Sequence, residues 1–279
     1  MPFPVSLLLV LLLLLGLGLV VLELRHRLRP ASPLELLPGA FQVRRRAQGL
    51  EITGEIRIRN PHPRMEVMVP EIALRPTLLG RGDLTGVTVS SRIEALHPDE
   101  ESRPDGYWAA YIVKGRKSTA ARLHISLAGG PGQHLDQLLD TLWLEILWIN
   151  YGPFGRLERR DGVLVPLQKP SPLSAASARW REGDRCRVLP VGTHLLGVLD
   201  EPEAVLRRYA GELVQPGDVL TIGETPLAVM QGRYHHPATV QPSGLARLLC
   251  RVFHPTSSLA TACGLQSLID VVGPARVLG

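Results

Sequence analysis

An uncharged, leucine-rich run at the N-terminus constrains this chain more than any other feature. Residues 1–22 hold no Asp, Glu, Lys or Arg, and residues 7–15 are leucine apart from Val10. A helix needs about 20 mostly apolar residues to cross the roughly 30 Å hydrocarbon layer of a bilayer. Gly16 and Gly18 are common in such helices. The sequence therefore predicts a transmembrane anchor over residues 1–24.

A cleaved signal peptide is the competing interpretation of this run. No basic segment precedes it and no Ala-x-Ala site follows it, so a retained anchor is favoured. Arg25, Arg27 and Arg29 come directly after Glu23. Because basic flanks stay on the cytoplasmic side, we expect a single-pass membrane protein whose C-terminal region is cytoplasmic. Three cysteines in 279 residues agree with a reducing compartment.

Composition and charge limit the kinds of partner that this chain is expected to bind. The chain has 31 Lys and Arg against 26 Asp and Glu, a mild net charge of +5 that is spread along the sequence, and only 5% aromatic residues. An acidic disordered chain is excluded, and a nucleic-acid partner is not expected. The length allows one large or two modest domains after the anchor.

Alternation of apolar and polar residues predicts a first soluble domain. The apolar positions of the first strand are Leu50, Ile52, Ile56 and Ile58. Turn residues Asn60-Pro61-His62-Pro63 end this strand. Further strands are expected within residues 65–74 and 87–89, and a strand pair at 107–113 and 121–127. Short strands at this spacing predict an antiparallel β-sandwich over residues 40–130.

One turn motif in this domain resembles a known family. Asn60-Pro61-His62-Pro63, followed by Glu66-Val67 and Val69-Pro70-Glu71, is similar to the late-embryogenesis-abundant, water-stress type of β-sandwich. The resemblance implies a binding or spacer module close to a membrane. It names no catalytic residue.

Residues 131–183 are expected to form an amphipathic helix and a linker. Six apolar residues share a helical stripe: Leu135, Leu138, Leu139, Leu142, Ile146 and Ile149. The stripe predicts a helix over residues 133–150 that packs on the sandwich. The alternative is an interfacial membrane helix, because it carries Trp143 and Trp148, but its polar face is acidic. Pro and small residues at 166–178 predict the linker.

Residues 184–279 predict a strand–helix–strand unit. A short strand begins at Cys186 and ends at Gly192-Thr193, and Asp200-Glu201-Pro202-Glu203 has the acid and proline pattern of a helix start, for a helix expected to run to Leu213. Val219-Leu220-Thr221-Ile222 is expected to be a buried strand. The fold class is therefore α+β: an N-terminal transmembrane helix, an antiparallel β-sandwich, then an incomplete α/β domain.

This last region resembles the opening of the coenzyme F420-0:gamma-glutamyl ligase family. The motifs are Pro190-Val191-Gly192-Thr193, Gln215-Pro216-Gly217-Asp218 with the strand that follows it, and Gln231-Gly232-Arg233. The resemblance implies ligation of glutamate to a deazaflavin coenzyme precursor, with GTP and a divalent metal as cofactors. It implies four nucleotide-binding residues: Gly192, Thr193, Glu224 and Thr225.

Two departures from the family pattern bear on activity. Thr225 and Val229 stand where the family has basic residues suited to phosphates. The family's metal-binding carboxylates would lie beyond Gly279, and Asp270 is the only late acid. We therefore expect an incomplete, membrane-anchored ligase relative with no metal ligands assigned. A non-catalytic, membrane-tethered binding or scaffold module is the alternative.

The C-terminal region also contains residue types that occur in zinc sites and as cysteine nucleophiles. The candidate ligands are His235, His236, Cys250, His254 and Cys263. Cys250 and His254 would share one helical face, but the overall spacing matches no common zinc site, so buried cysteines and loop histidines are favoured. His254 is the nearest base for a Cys263 nucleophile, which is disfavoured too.

Two further motifs have simple interpretations. Gly129-Gly130-Pro131-Gly132 lacks the Lys-Ser/Thr of a phosphate loop and predicts a hinge. Arg44-Arg45-Arg46 predicts a solvated turn, and a contact with anionic lipid is compatible with it.

Overall fold

Two four-stranded antiparallel sheets share one hydrophobic core in this computed structural model, which describes residues 3–27, 32–46, 49–100, 103, 105–130, 133–233 and 237–278. The strands of the sheets are β1 Glu35–Arg46, β2 Gly49–Arg59, β3 Val67–Gly80, β4 Thr88–Leu96, β5 Tyr111–Val113, β6 Ser118–Ala128, β7 Leu139–Gly152 and β8 Gly155–Pro166. Two short strands follow, β9 Arg181–Glu182 and β10 Arg187–Val188. The helices are α1 Phe3–Arg27, α2 Leu135–Leu138, α3 Pro202–Ala210, α4 Glu224–Met230, α5 Gly244–Leu249, α6 Ala262–Val272 and α7 Pro274–Leu278.

Strand order confirms the α+β class and the sandwich. The first sheet runs β1-β2-β6-β4 and the second β5-β3-β7-β8, and neither closes into a barrel. Alternate residues of β2 face the core, with Ile52, Ile56 and Ile58 fully buried. Their polar neighbours face outward, because side chains alternate across a strand.

The two strands expected within residues 107–113 and 121–127 are present as β5 and β6, but their expected pairing with each other is wrong. β5 pairs with β3 in one sheet, while β6 lies between β2 and β4 in the other. The two strands follow each other in sequence, yet the connection between them crosses from sheet to sheet. A Greek-key sandwich makes such crossings, and local sequence does not distinguish them from a hairpin.

The helix expected over residues 133–150 is also wrong. Only α2 is helical, and β7 then pairs with β3 on one side and β8 on the other. Leu142, Leu144 and Ile146 face the core, while Trp143 and Leu147 on the outer face are half-buried. A strand buried on one face and half-buried on the other contains apolar residues at almost every position, so a helical stripe can be read from it.

The second expected strand of the C-terminal region is absent as well. Val219 is 87% exposed, and residues 219–222 form no strand among the described residues. The strand expected from Cys186 is reduced to β10, a two-residue ladder with β9. A strand requires a neighbouring strand to accept its backbone hydrogen bonds, and within the described residues the segment at 219–222 has none. The strand–helix–strand prediction is therefore wrong.

Helix α1 contains one segment long and apolar enough to cross a membrane, Ser6–His26, with a mean hydropathy of 3.0. This agrees with the predicted span. Length and composition are shared by membrane anchors and signal sequences, so the retained anchor stays a prediction.

The turn after β2 depends on Asn60. Its side-chain amide donates to the carbonyls of Met65 at 2.7 Å and Val113 at 2.9 Å, and its Oδ1 accepts from the His62 amide at 3.1 Å. The residue is fully buried. Asn60 therefore connects the start of β3 to the end of β5 and satisfies two carbonyls away from water.

A second fully buried asparagine lies in the opposite situation. Asn150, on β7, finds no hydrogen-bond partner for either side-chain atom within the described residues.

We expect Asn60→Ala to lower the free energy of unfolding by about 2–4 kcal/mol, because it leaves buried carbonyls unpaired. Asn150→Leu, of similar volume, should cause no loss, because it removes an unsatisfied group. Guanidinium unfolding of the full chain in mild detergent, followed by tryptophan fluorescence, measures both, and equal losses would contradict this assignment.

His97 is held neutral inside the sandwich. Its Nε2 donates to the Ala109 carbonyl at 3.1 Å, its Nδ1 accepts from the Thr119 hydroxyl at 2.8 Å, and the ring stacks on Tyr111. Burial lowers the pKa of His97, against smaller raising contributions from the Ala109 carbonyl and the Glu100 charge.

This depressed pKa has a defined effect on stability. The unfolded chain binds a proton near pH 6.5 while the folded chain resists it, so stability is complete above that pH and falls as the pH drops towards the folded value. We expect the unfolding free energy to decrease between pH 8 and pH 5.5, and His97→Gln to flatten this dependence. An unchanged slope in the variant would show that another group is responsible.

Candidate functional site

The four residues implied to bind nucleotide adjoin residues that pack against one small hydrophobic cluster. Its buried members are Val205, Tyr209 and Met230, from α3 and α4. Val191 and Ile222 pack against it. Gly192 and Thr193 directly follow Val191, and Glu224 and Thr225 begin two residues after Ile222. The two pairs therefore start from a common core, although 31 residues separate them in sequence.

The first pair lies in an exposed loop. A Cβ placed on Gly192 would meet nothing within 4 Å, so the backbone there is open to solvent. The Thr193 hydroxyl donates to the His194 carbonyl at 2.9 Å. The loop offers backbone N–H groups and a hydroxyl, which are suited to polar contacts with a ligand.

The second pair forms the first turn of α4. Glu224 and Thr225 are both exposed, and the preceding Gly223 supplies no side-chain cap. Thr225 therefore starts a helix and does not follow a strand as expected. A carboxylate and a hydroxyl face solvent here.

A metal–triphosphate complex does not fit these residues alone. The four carry one negative charge and no positive charge, and Val229 adds none. Within the described ranges, no group of three His, Cys, Asp or Glu side chains could hold a metal ion. Phosphoryl chemistry requires fixed cations and a carboxylate-held metal. No chemical step is therefore assigned to Gly192, Thr193, Glu224 or Thr225.

A buried polar network next to this loop was missed in the sequence. His194 Nε2 donates to Asp200 Oδ1 at 2.9 Å, and its Nδ1 accepts from the Tyr209 hydroxyl at 2.7 Å. The Gly197 amide donates to Asp200 Oδ2 at 2.9 Å. The side chains of His194 and Asp200 are only 2% and 5% exposed, so they do not reach a ligand in solution. The network closes residues 194–200 into a fixed loop against α3.

The helix start has its expected form, an acidic cap with a proline just inside it. The residue that caps α3 is Glu201, whose carboxylate accepts from the amides of Glu203 and Ala204. Asp200 is engaged by His194 instead. The helix ends at Ala210, three residues before the expected end at Leu213.

The same loop is seated on the sandwich. A Cβ on Gly197 would lie 2.9 Å from the Leu164 Cβ on β8, so a larger residue would push the loop away. Val198 and Leu199 pack against the sandwich core. A cavity of about 60 Å³ separates α4 from β8, with Gly162 and Val229 among its lining residues. The loop and the sandwich therefore form a continuous packed structure.

A second candidate surface lies on the outer face of the first sheet. It is an open groove of about 390 Å³, lined by residues that include Thr53, Arg92 and His124. His124 Nε2 donates to the Glu94 carboxylate at 3.1 Å, and this bond, with Arg122 beside it, holds the pKa of Glu94 below its usual value. Two of its charged groups are paired with residues outside its lining, His124 with Glu94 and Glu51 with Arg46, so the groove has no feature specific for one ligand.

The arrangement of the described residues supports neither the zinc site nor the cysteine nucleophile. Cys250 begins a short 3-10 turn that ends at Val252, so His254 does not share its helical face, and the His254 ring contacts the Thr256 hydroxyl at 2.9 Å. Cys263 is exposed, contrary to the burial expected for it. His235 and His236, like Pro131 and Gly132 of the expected hinge, lie outside the described residues.

The buried network should govern the order of the loop. Asp200→Ala leaves the His194 ring N–H and the Gly197 amide unpaired, so we expect faster amide hydrogen exchange across residues 192–213. Tyr209→Phe removes one bond and should have a smaller effect in the same peptides. Hydrogen exchange followed by mass spectrometry measures this, with peptides of β2 and β6 as the internal control. Uniformly faster exchange over the whole chain would contradict a local role.

Comparison with known families locates the similarity in the sandwich. Residues 35–169, just under half of the chain, match the family model described as F420-0:gamma-glutamyl ligase, N-terminal Ig-like domain. No curated protein matches the chain. The matched range begins with β1 and ends shortly after β8, so it includes both sheets. The two-sheet domain of this chain is thus similar to the Ig-like domain that precedes the rest of that ligase.

Proposed function

We propose that this chain is a membrane-anchored protein of the F420-0:gamma-glutamyl ligase type. It would serve the nucleotide-dependent ligation of glutamate to a deazaflavin coenzyme precursor. The observation that carries the proposal is the match of residues 35–169 to the Ig-like domain of that ligase. The ligase-like motifs at Pro190–Thr193 and Gln231–Arg233 follow that domain directly in the same chain.

Each part of the chain has a role in this proposal. Helix α1 is the single-pass anchor, with the remainder of the chain in the cytoplasm because arginines crowd its C-terminal flank. The sandwich is the spacer. The loop at Gly192 and Thr193 and the turn at Glu224 and Thr225 face the nucleotide. GTP and a divalent metal are the cofactors that the family implies, and glutamate is a substrate.

The electrostatics of the site favour a second candidate. Since the four residues bring no positive charge, this chain alone does not neutralise a triphosphate. A non-catalytic, membrane-tethered binding or scaffold module would keep the same loops without the chemistry. Ligase activity needs cations and metal-holding carboxylates from outside these four residues.

Calorimetry separates the two candidates. The full chain in nanodiscs is titrated with GTP and with ATP, each with Mg²⁺. Under the ligase proposal we expect binding that Thr193→Val weakens at least about threefold, the loss of one modest polar contact, whereas Glu224→Gln should not weaken it, because it removes a negative charge. Thr221→Val and Glu212→Gln, exposed positions of the same region, are the matched controls. The absence of heat with either nucleotide would overturn the ligase proposal and leave the binding module.

A further inference from the structure

One end of the sandwich lies next to α1. β1 begins there at Glu35, which pairs with Arg59 at the end of β2. The other segments at this end are the turns at residues 60–66 and 114–117 and the β7–β8 hairpin tip at 152–155, since Met68 pairs with Tyr151 and Val67 with Val113. These three segments are called the α1-proximal end below.

A ring contact joins this end to the apolar helix, and a hydrogen bond ties the start of β1 to the second sheet. The ring of His26, the last residue of the apolar span, lies 5.1 Å from the ring of Phe154 at the hairpin tip. Arg159 donates to the Leu34 carbonyl at 2.8 Å and ties the residue before β1 to the second sheet. Eight residues between His26 and Glu35 span at most about 30 Å, so this end stays close to the bilayer if α1 crosses it.

Exposed cations cluster at the α1-proximal end. Lys114, Arg116 and Lys117 occupy one turn, and Arg64 lies in the neighbouring one. All four are exposed, and none forms an ion pair with another described residue. Glu66 is the one acid in these three segments, and the connection after β4, which begins at the same end because Leu96 pairs with Ala120, adds Asp99 and Glu100. Among the described residues at this end these four cations therefore outnumber the three acids, and none of the four is held in an ion pair.

The backbone holds these cations in a fixed arrangement. The Arg116 amide donates to the His62 carbonyl at 3.0 Å, and a Cβ on Gly115 would lie 2.7 Å from the Pro63 carbonyl oxygen, so the two turns pack together. Arg116 has φ +60°, a conformation that favours glycine. A long cationic side chain is kept at this position despite its cost to the backbone.

Exposed aromatic rings lie beside the cations. Phe154 is 52% exposed and Tyr151 42% exposed, both at the hairpin tip. Aromatic side chains at the level of lipid headgroups, with basic residues around them, are typical of protein surfaces that lie on a membrane. A soluble anion would account for the cations and not for the rings.

The arginine run considered in the sequence lies at the other end. Arg46 is eleven residues along β1 from Glu35, about 35 Å away at roughly 3.3 Å per residue. Arg46 pairs with Glu51, and Arg45 lies 3.7 Å from Asp136. The turn predicted for Arg44-Arg45-Arg46 is wrong, since these residues form the exposed end of strand β1, and the expected lipid contact moves to a different surface.

We propose that the α1-proximal end docks on the anionic headgroups of the membrane that α1 crosses, through Arg64, Lys114, Arg116 and Lys117, with Phe154 at headgroup depth. The inference rests on the proposed anchoring of α1. It does not depend on nucleotide binding or ligation. Docking would fix the sandwich against the bilayer in one orientation.

The chain offers a direct probe, because it has three lysines and two of them lie in this turn. Lys169 is the third; it is exposed and lies beyond the far end of β8. The full chain is reconstituted in nanodiscs of phosphatidylcholine, with or without 30% phosphatidylglycerol, and labelled with an amine-reactive ester. We expect labelling of Lys114 and Lys117, read by mass spectrometry, to be at least about threefold slower in the anionic bilayer, with Lys169 unchanged. The difference should shrink in 0.5 M NaCl, which screens surface charge.

A pair of charge-matched variants tests the assignment to these residues. Arg64→Gln with Arg116→Gly removes two cations and relieves the backbone at residue 116, so the fold is preserved and the protection should fall by at least half. Arg44→Gln with Arg45→Gln removes the same charge at the opposite end and should leave the protection unchanged.

Retention of the chain in alkaline carbonate is measured first on liposomes. Release would overturn the anchoring and this inference together. Retention with equal labelling of Lys114 and Lys117 in both bilayers would overturn the docking and leave the anchoring intact.

Discussion

Burial of β7 between two neighbours is the constraint on which the rest of the structure depends. Its inner side chains Leu142, Leu144 and Ile146 are completely buried in the sandwich core, and its outer side chains are half-covered by β3, β8 and their side chains. At about 25 cal/mol per Å² of apolar area, this strand carries a large share of the hydrophobic free energy of the domain. Because β7 fixes β8, it also fixes Leu164, on which the loop at Gly197 rests. The candidate site therefore takes its position from the most deeply buried strand.

The strands that were predictable are those with one buried face and one solvent-exposed face. β2 alternates cleanly, and Asn60-Pro61-His62-Pro63 marks its end, so the sequence alone located both. β7 was wrongly predicted to be a helix, since a strand that is apolar on both faces loses its period of two. β1 was not predicted because Pro38 and Gly39 interrupt it. It survives as an edge strand with a register shift at this point, and Phe41 covers Gly54 of β2.

The candidate site was predictable only where local rules apply. The start of α3 follows from its acid–proline pattern, which is a signal within four residues. The hydrogen bonds of His194 reach 6 and 15 residues along the chain, and no local pattern announces them. Val219 shows the converse failure: its neighbours have the composition of a buried strand, but burial depends on a partner that the described residues do not provide. Composition predicts what a segment prefers, and the available neighbours decide whether it is formed.

The sandwich also sets a distance between the α1-proximal end and the candidate site. The hairpin tip at Phe154 contacts α1, whereas Leu164, which supports Gly197, lies nine residues along β8 from Gly155, about 30 Å at roughly 3.3 Å per residue. A flexible linker of similar reach would let the loop at Gly192 sample the bilayer surface. A strand does not, because its ladder to β7 and the packing of Val198 and Leu199 on the core make the separation rigid. Under the proposed anchoring, a rigid spacer of this length would keep the polar loops clear of the headgroups and open to soluble ligands, which both proposed functions require.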